Sequence, residues 1–190
     1  MVEIFKLFDL NILLWVHENH NSIFDSFFPF ITNKNNWIAP IILLILFAVF
    51  KDNNRGKVVI GLLIITVGLT DSICAQILKP VFERIRPSHI NLEGLNLLVS
   101  KGGKWSMPSN HAANSFAATT ILCYFYKRIS IIMYPLSATI AFSRVYIGVH
   151  YPSDVILGSI IGYLIGWFVL NLWCKYKIKQ IKKGITWVNF

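Results

Sequence analysis

Three short stretches carry residue types that could do chemistry at the edge of a membrane. The first, Ser143-Arg144-Val145-Tyr146-Ile147-Gly148-Val149-His150-Tyr151-Pro152-Ser153-Asp154, sets an arginine, a histidine and an aspartate between two apolar runs. Ionisable side chains beside a membrane-length apolar run are costly to bury and are functional candidates by default. If Pro152 opens a helix, as proline at the first helical position often does, the i,i+4 spacing sets Asp154 about one turn from His150. There a carboxylate could hold the imidazole in one tautomer and stabilise its cation. A turn at Gly148 could fold Arg144 back over the ring. An arginine fork beside an oriented histidine is what phosphoryl transfer needs. The same residues would also suit a plain helix–turn–helix with a boundary arginine and a capping aspartate.

The second stretch is Lys79-Pro-Val-Phe-Glu-Arg-Ile-Arg86-Pro87. Lys79 ends an apolar run and Arg86 lies just past it. Two cations without an obvious carboxylate partner suggest an anion site, although simple snorkelling to headgroups would use the same residues. The third is Met107-Pro108-Ser109-Asn110-His111, immediately before a helical pattern. Ser109 or Asn110 can cap that helix, whose first-turn N–H groups would face an anion. A histidine at such a helix mouth can protonate a leaving oxygen. It would equally fit a capped helix with an exposed histidine.

The elements that must position these stretches are membrane helices. Of 190 residues, 55% are hydrophobic and 14% charged, against about 25% charged in ordinary soluble domains. Apolar runs near the roughly 20 residues that a span requires recur along the chain. They lack the alternation of barrel strands, which leaves an all-α, polytopic membrane helical bundle. A net charge of +9 would raise nucleic acid as a partner of a soluble protein. Here the basic residues gather at the ends of apolar runs, which points to membrane topology and no nucleic acid. Cys74, Cys123 and Cys174 fall in apolar runs without paired spacing, so no disulfide or metal framework is expected. No removable signal peptide is expected at the N-terminus.

Along the chain, residues 1–32 read as an N-terminal region of interfacial or partly inserted helices. Its first part, residues 3–17, is amphipathic, and 22–32 is a possible sixth span. The transmembrane bundle runs over 37–174 as one domain, with five spans at 37–50, 58–78, 111–126, 129–147 and 154–174. The small residues Ala112, Ala113, Ser115, Ala117 and Ala118 suit the third span to close packing. Residues 79–110 form the active-face loop, and 175–190 form a basic cytoplasmic tail. Three Lys/Arg in loop 51–57, two at 127–128 and five in the tail place those segments inside. The site then faces the periplasmic or extracellular side of the cytoplasmic (inner) membrane. Seven basic residues on that outer face, Lys34, Lys79, Arg84, Arg86, Lys101, Lys104 and Arg144, require another purpose. Arg84, Lys101 and Lys104 could touch headgroups, and Trp105 could anchor at the interface. His17, His20 and His89 read as surface or interfacial residues, and Asp71 as a structural partner within the bundle.

Taken in order, Lys79-x6-Arg86-Pro87, Pro108-Ser109-x-His111 and Ser143-Arg144-x5-His150-x3-Asp154 resemble the type 2 phosphatidic acid phosphatase family of membrane lipid phosphatases. The soluble vanadium-dependent haloperoxidases share that signature. The resemblance covers Lys79 to Asp154, and Asn110 stands where the family usually has glycine. Asparagine tolerates left-handed backbone better than most residues, so the turn can survive. The resemblance implies that His150 is the nucleophile and forms a phosphohistidine, that Asp154 orients it, and that His111 is the general acid. It implies that Lys79, Arg86, Ser109, Asn110 and Arg144 bind phosphate, with no metal or other cofactor. The implied substrate is a membrane lipid phosphate or diphosphate: undecaprenyl diphosphate, lipid A 1-phosphate, phosphatidylglycerol phosphate or phosphatidic acid. The bilayer is then the setting, and no obligate protein partner is inferred. Two alternatives are a lipid phosphotransferase using the same histidine and a non-catalytic transporter of lipid headgroups. Binding alone does not require two histidines, which argues against the transporter.

Overall fold

The computed structural model describes residues 2–51 and 53–184. Eight α-helices account for most of them. Helix α1 (Val2–Glu18) is followed by α2 (Ser22–Thr32), whose N-cap Asn21 accepts a hydrogen bond from the Phe24 N–H at 3.1 Å. A one-turn 3-10 segment leads into α3 (Ile38–Phe50). Helix α4 (Asn53–Ser72) widens into a π-helical stretch, Ile73–Leu78, and closes with α5 (Lys79–Phe82). Glu83, left-handed at φ +45°, ends this run, as C-terminal residues of helices commonly do. After an irregular segment come α6 (Asn110–Phe125), α7 (Ser130–Tyr146) and α8 (Pro152–Lys182). Among the described residues there is no β-strand; a single antiparallel bridge joins Ile85 to Trp105.

Among the described residues, three helical stretches are long and apolar enough to cross a membrane: Asn54–Phe82, Lys127–Tyr146 and Pro152–Lys182. A fourth is available if the pair Ser22–Thr32 and Lys34–Phe50, bent by 64°, crosses as a broken span. Helix α6 has 16 residues, about 24 Å of helix against a hydrocarbon core of roughly 30 Å. Of the expected five spans, length and composition support three or four among the described residues. Two boundaries also move. Helix α4 starts inside the expected charged turn 51–57, because Arg55 and Lys57 extend the helix beyond its apolar part. Helix α8 likewise carries the expected tail from Lys175 as far as Lys182, since lysine is a good helix former. Residues 185–190 of that tail lie outside the described residues. The outer surface is apolar: in α3 only Ala48 is buried, and Ile131 of α7 is 83% exposed. Such a face suits lipid rather than water.

Helix α6 is the centre of the bundle and packs against α4, α7 and α8. Its tightest neighbour is α8, through Gly158, Gly162 and Gly166, spaced one turn apart. A Cβ at Gly162 would lie 2.0 Å from the Ala113 carbonyl oxygen, and one at Gly158 would lie 2.6 Å from that of Ser109. Only hydrogen at these positions lets the backbones approach so closely, the usual logic of small-residue packing in membranes. Because Ser109 is one of the residues so gripped, this contact also sets the height of the candidate site. Gly162→Ala should force α8 away from α6. An overpacking cost of about 1–3 kcal/mol is expected, read as a lowered thermal midpoint of the purified protein in detergent.

Candidate active site

The π-helical stretch delivers Lys79 to the end of its helix, with the Lys79 N–H reaching back five residues to the Cys74 carbonyl. Beyond the Glu83 turn, the chain pairs briefly with residues 104–106: the Arg86 N–H donates to the Lys104 carbonyl at 3.1 Å, and the Ser106 N–H to that of Arg84 at 2.7 Å. This pairing fixes Arg86 beside Lys79. Both side chains donate to one acceptor, the Trp105 carbonyl, from Lys79 Nζ at 3.4 Å and Arg86 Nε at 3.1 Å. Gly102, at φ +70°, passes so close to Arg86 that a Cβ there would lie 2.8 Å from its Nη1. Two cations held on one carbonyl favour an anion between them.

Ser109 occupies the N-cap of α6, but its hydroxyl makes no capping bond, contrary to the expectation from sequence. It is buried with no hydrogen-bond partner. The reason is positional: the Ser109 N–H donates to the Asp154 carbonyl at 3.0 Å, which fastens the second motif to the third. Asn110, expected among the phosphate ligands, turns its amide to α4 and donates to Asp71 Oδ1 at 2.7 Å. Asn114, one turn on, donates to the same oxygen at 3.0 Å. A carboxylate within an apolar helix requires such donors, so Asp71 has the bundle partners expected of it. The Asn110 backbone N–H remains among the first-turn groups that a helix leaves unpaired. His111 follows in the same turn, with Arg144, His150, Arg86 and Lys79 all within electrostatic reach of its ring.

Pro152 opens α8 and Gly148 turns the chain at φ +81°, both as the spacing predicts. The Val149 and His150 N–H groups both donate to the Arg144 carbonyl, at 3.2 and 3.1 Å. Arg144 is buried; its Nη1 donates to Thr32 Oγ1 at 2.7 Å and its Nε has no partner. His150 is 1% exposed, with Nδ1 3.5 Å from Asp154 Oδ2, an ion-pair distance longer than a made hydrogen bond. The same Oδ2 accepts the Tyr151 N–H at 2.9 Å, so Asp154 caps α8 and faces His150 at once. Of the two readings of the aspartate offered by the sequence, the capping one is seen directly, and the carboxylate also lies at ion-pair distance from the imidazole. His150 lies in the loop between helices, outside the spanning segments. Burial pushes its imidazole down to about 3 against the pull of Asp154, and Arg86 and Arg144 add to the fall. The ring is neutral at physiological pH, with a lone pair available.

Two residues of this arrangement escaped the sequence reading. Arg84 does not reach for headgroups: it bonds Asp154 Oδ1 at 2.9 Å, Asp9 Oδ2 at 2.6 Å and Ser153 Oγ at 2.6 Å. Its guanidinium also lies 3.9 Å from the centre of the Tyr151 ring. Asp9, on amphipathic α1, is buried rather than on the polar face, and accepts from the Ser153 N–H at 2.9 Å and from the Ser153 hydroxyl. His17 is a further correction, since it is 2% exposed and not a surface residue. Its Nδ1 accepts the Asn96 N–H at 3.1 Å, which puts the proton on Nε2 facing the Val145 carbonyl at 3.2 Å. It braces the end of α7 from behind. His20 is half-buried and stacks on Tyr146 at 4.0 Å, whereas His89 is exposed as expected. Nothing in the sequence pairs residues so distant in the chain, although a charged residue on the apolar side of an amphipathic helix was a signal.

Comparison with known proteins identifies the family of the chain. The family model of the PAP2 superfamily matches residues 56–177. The lipid A 4′-phosphatase of Bacteroides thetaiotaomicron is 34% identical over 176 residues, 88% of this chain and 77% of the relative. Phosphatidylglycerophosphatase B of Bacillus subtilis is 28% identical over 160 residues, 78% of this chain and 73% of that protein. The crystal structure of Aquifex aeolicus LpxE superposes with a TM-score of 0.67 at 29% identity, covering 85% of this chain and 94% of that one. With a matched model over most of its length and relatives named as lipid phosphatases, the chain belongs to the PAP2 superfamily, among its membrane phosphatases that act on lipids.

Proposed function

We propose that this protein hydrolyses the phosphate of a membrane lipid through a phosphohistidine on His150. What carries the reading is the convergence of Lys79, Arg86 and Arg144 on two histidines. Three buried polar atoms there have no hydrogen-bond partner: Arg144 Nε, Ser109 Oγ and His150 Nδ1, the last at ion-pair distance from Asp154, and the first two are open to a ligand. Unpaired buried groups cost about 1–3 kcal/mol each, and phosphoryl oxygens would satisfy those two. Asp154 is a single carboxylate against these three cations, so the cluster stays net positive.

In the proposed reaction Asp154 holds the Nδ1 proton of His150, and the Nε2 lone pair attacks phosphorus. The bond from phosphorus to the lipid oxygen breaks as His111 donates its proton to that oxygen. Charge spreads over the phosphoryl oxygens in the transition state, where Lys79, Arg86, Arg144 and the N–H groups at the start of α6 meet it. Water then attacks the phosphohistidine, neutral His111 takes its proton, and phosphate leaves with the P–N bond broken. No step calls for a metal, so turnover should persist in excess chelator. Loss in chelator with recovery on adding magnesium would refute the mechanism.

For the substrate, the 34% identity to the lipid A 4′-phosphatase of Bacteroides thetaiotaomicron makes the 4′-phosphate of lipid A the first to test. The 1-phosphate of lipid A, undecaprenyl diphosphate, phosphatidylglycerol phosphate and phosphatidic acid stand beside it. An apolar cavity of about 400 Å³ between α1, α6, α7 and α8 supports a lipid. It borders the site through Val145 and Pro152, next in sequence to Arg144 and Ser153. Phosphate release by purified protein in detergent, measured on these five lipids, tests the reading. Release from none of them would refute it. We further propose that α6 crosses with the α2–α3 pair, α4, α7 and α8. That gives five spans, with the site on the outer face of the cytoplasmic membrane and the Lys175–Lys182 end of α8 inside.

A further inference from the structure

We infer that Asp9 is a positioning residue for the phosphatase reaction: it offsets Arg84, so that Asp154 presents an uncompensated negative charge to His150 as the imidazole becomes cationic. The inference rests on the reading of His150 as nucleophile. It concerns a residue outside the matched segment 56–177.

The geometry is a chain of alternating charge. His150 Nδ1 faces Asp154 Oδ2 at 3.5 Å, Asp154 Oδ1 accepts from Arg84 Nη1 at 2.9 Å, and Arg84 Nη2 donates to Asp9 Oδ2 at 2.6 Å. The side chains of Asp154 and Asp9 are 0% and 6% exposed, so water screens this row little. With Asp154 and Arg84 alone the unit would be neutral, and the arginine would absorb most of the field that Asp154 casts on the histidine. The second carboxylate restores a net charge of −1. The other groups facing His150 are Arg86 and Arg144, and His111 lies within range. None of these favours a cationic ring, which leaves the Asp9–Arg84–Asp154 row as its source of negative potential. Asp9 also fixes the first turn of α8, through the N–H and hydroxyl of Ser153. Helix α1 is in this way part of the reaction centre as well as a membrane-surface helix.

The test measures phosphate release from whichever of the five lipids the wild type turns over fastest. Asp9→Asn should lower kcat about 10–100-fold and leave KM within about twofold, since the phosphate ligands are untouched. Asp9→Glu, which keeps the charge, should recover most of the loss. Asp9→Asn combined with Arg84→Gln should exceed Asp9→Asn alone by about threefold or more, because removing both charges returns the net −1 of Asp154. Asn11→Ala, at an exposed position on the same helix, should behave as wild type. The inference is overturned if Asp9→Asn keeps wild-type kcat. It is also overturned if the double variant is no better than Asp9→Asn, the result that a purely structural contact would give. If Asp9→Asn proves unfolded by its thermal midpoint, the comparison of Asp9→Glu with the double variant decides by the same criterion. Should the wild type release no phosphate, or His150→Ala retain activity, the phosphatase mechanism itself falls and takes this inference with it.

Discussion

Substitution of His150 by alanine or glutamine should reduce turnover by several orders of magnitude on every lipid that the wild type hydrolyses. The reason is the absence of an alternative acceptor. In the proposed site Lys79, Arg86 and Arg144 are cations assigned to the phosphoryl oxygens, and Asp154 is committed to Arg84 and to the Tyr151 N–H. A nucleophile divides one difficult displacement into two easier ones, and no other group near the phosphate site can replace it. Glutamine keeps nearly the volume of the buried ring, so the paired variants separate loss of chemistry from a packing defect. Rapid quenching of wild-type protein with radiolabelled substrate should trap phosphate in an acid-labile, base-stable bond. That label should be missing from both His150 variants. A label surviving in either would move the nucleophile elsewhere.

The legible part of this protein is the part written locally. Proline at the head of α8, glycine at the preceding turn and the spacing from His150 to Asp154 are short-range facts, and the fold reproduces each of them. Composition and apolar run length gave the helical membrane architecture. They misplaced helix ends, because lysine and arginine continue a helix as readily as they mark the membrane surface. They reach a count of five spans only by including α6, whose 16 residues are too few to cross by length alone. Helix α6 is short and set among other helices, and its small residues answer to the glycines of α8 rather than to lipid. The glycine row of α8 was visible at four-residue spacing, and its meaning depended on knowing which helix it faces. Least legible were Asp9, Arg84 and His17. Each acts across about 70 residues or more, on partners that no pattern in the sequence links. Asn110 shows the converse: a departure from a familiar motif becomes intelligible once Asp71 is found opposite it.

His111→Ala should cost about 10²–10⁴-fold in turnover on lipids whose leaving group is an alkoxide, the usual range for removal of a general acid. The loss should shrink with the need for a proton. An aryl phosphate, and to a lesser degree a diphosphate, departs as a stabilised anion, so the variant should approach wild type most closely on the aryl substrate. His150→Ala should show no such recovery, since a better leaving group does not supply a nucleophile. The second half-reaction gives an independent signature. If His111 is also the base that activates water, His111→Ala should accumulate the phosphohistidine on the aryl substrate, where formation stays fast and hydrolysis is slowed. Steady-state label on the protein should then exceed that of wild type, while phosphate release lags behind an initial burst of aryl alcohol. Equal losses on alkyl and aryl substrates, without burst or accumulated label, would exclude His111 from proton transfer. It would then be a phosphate-binding residue beside Arg144 and Lys79.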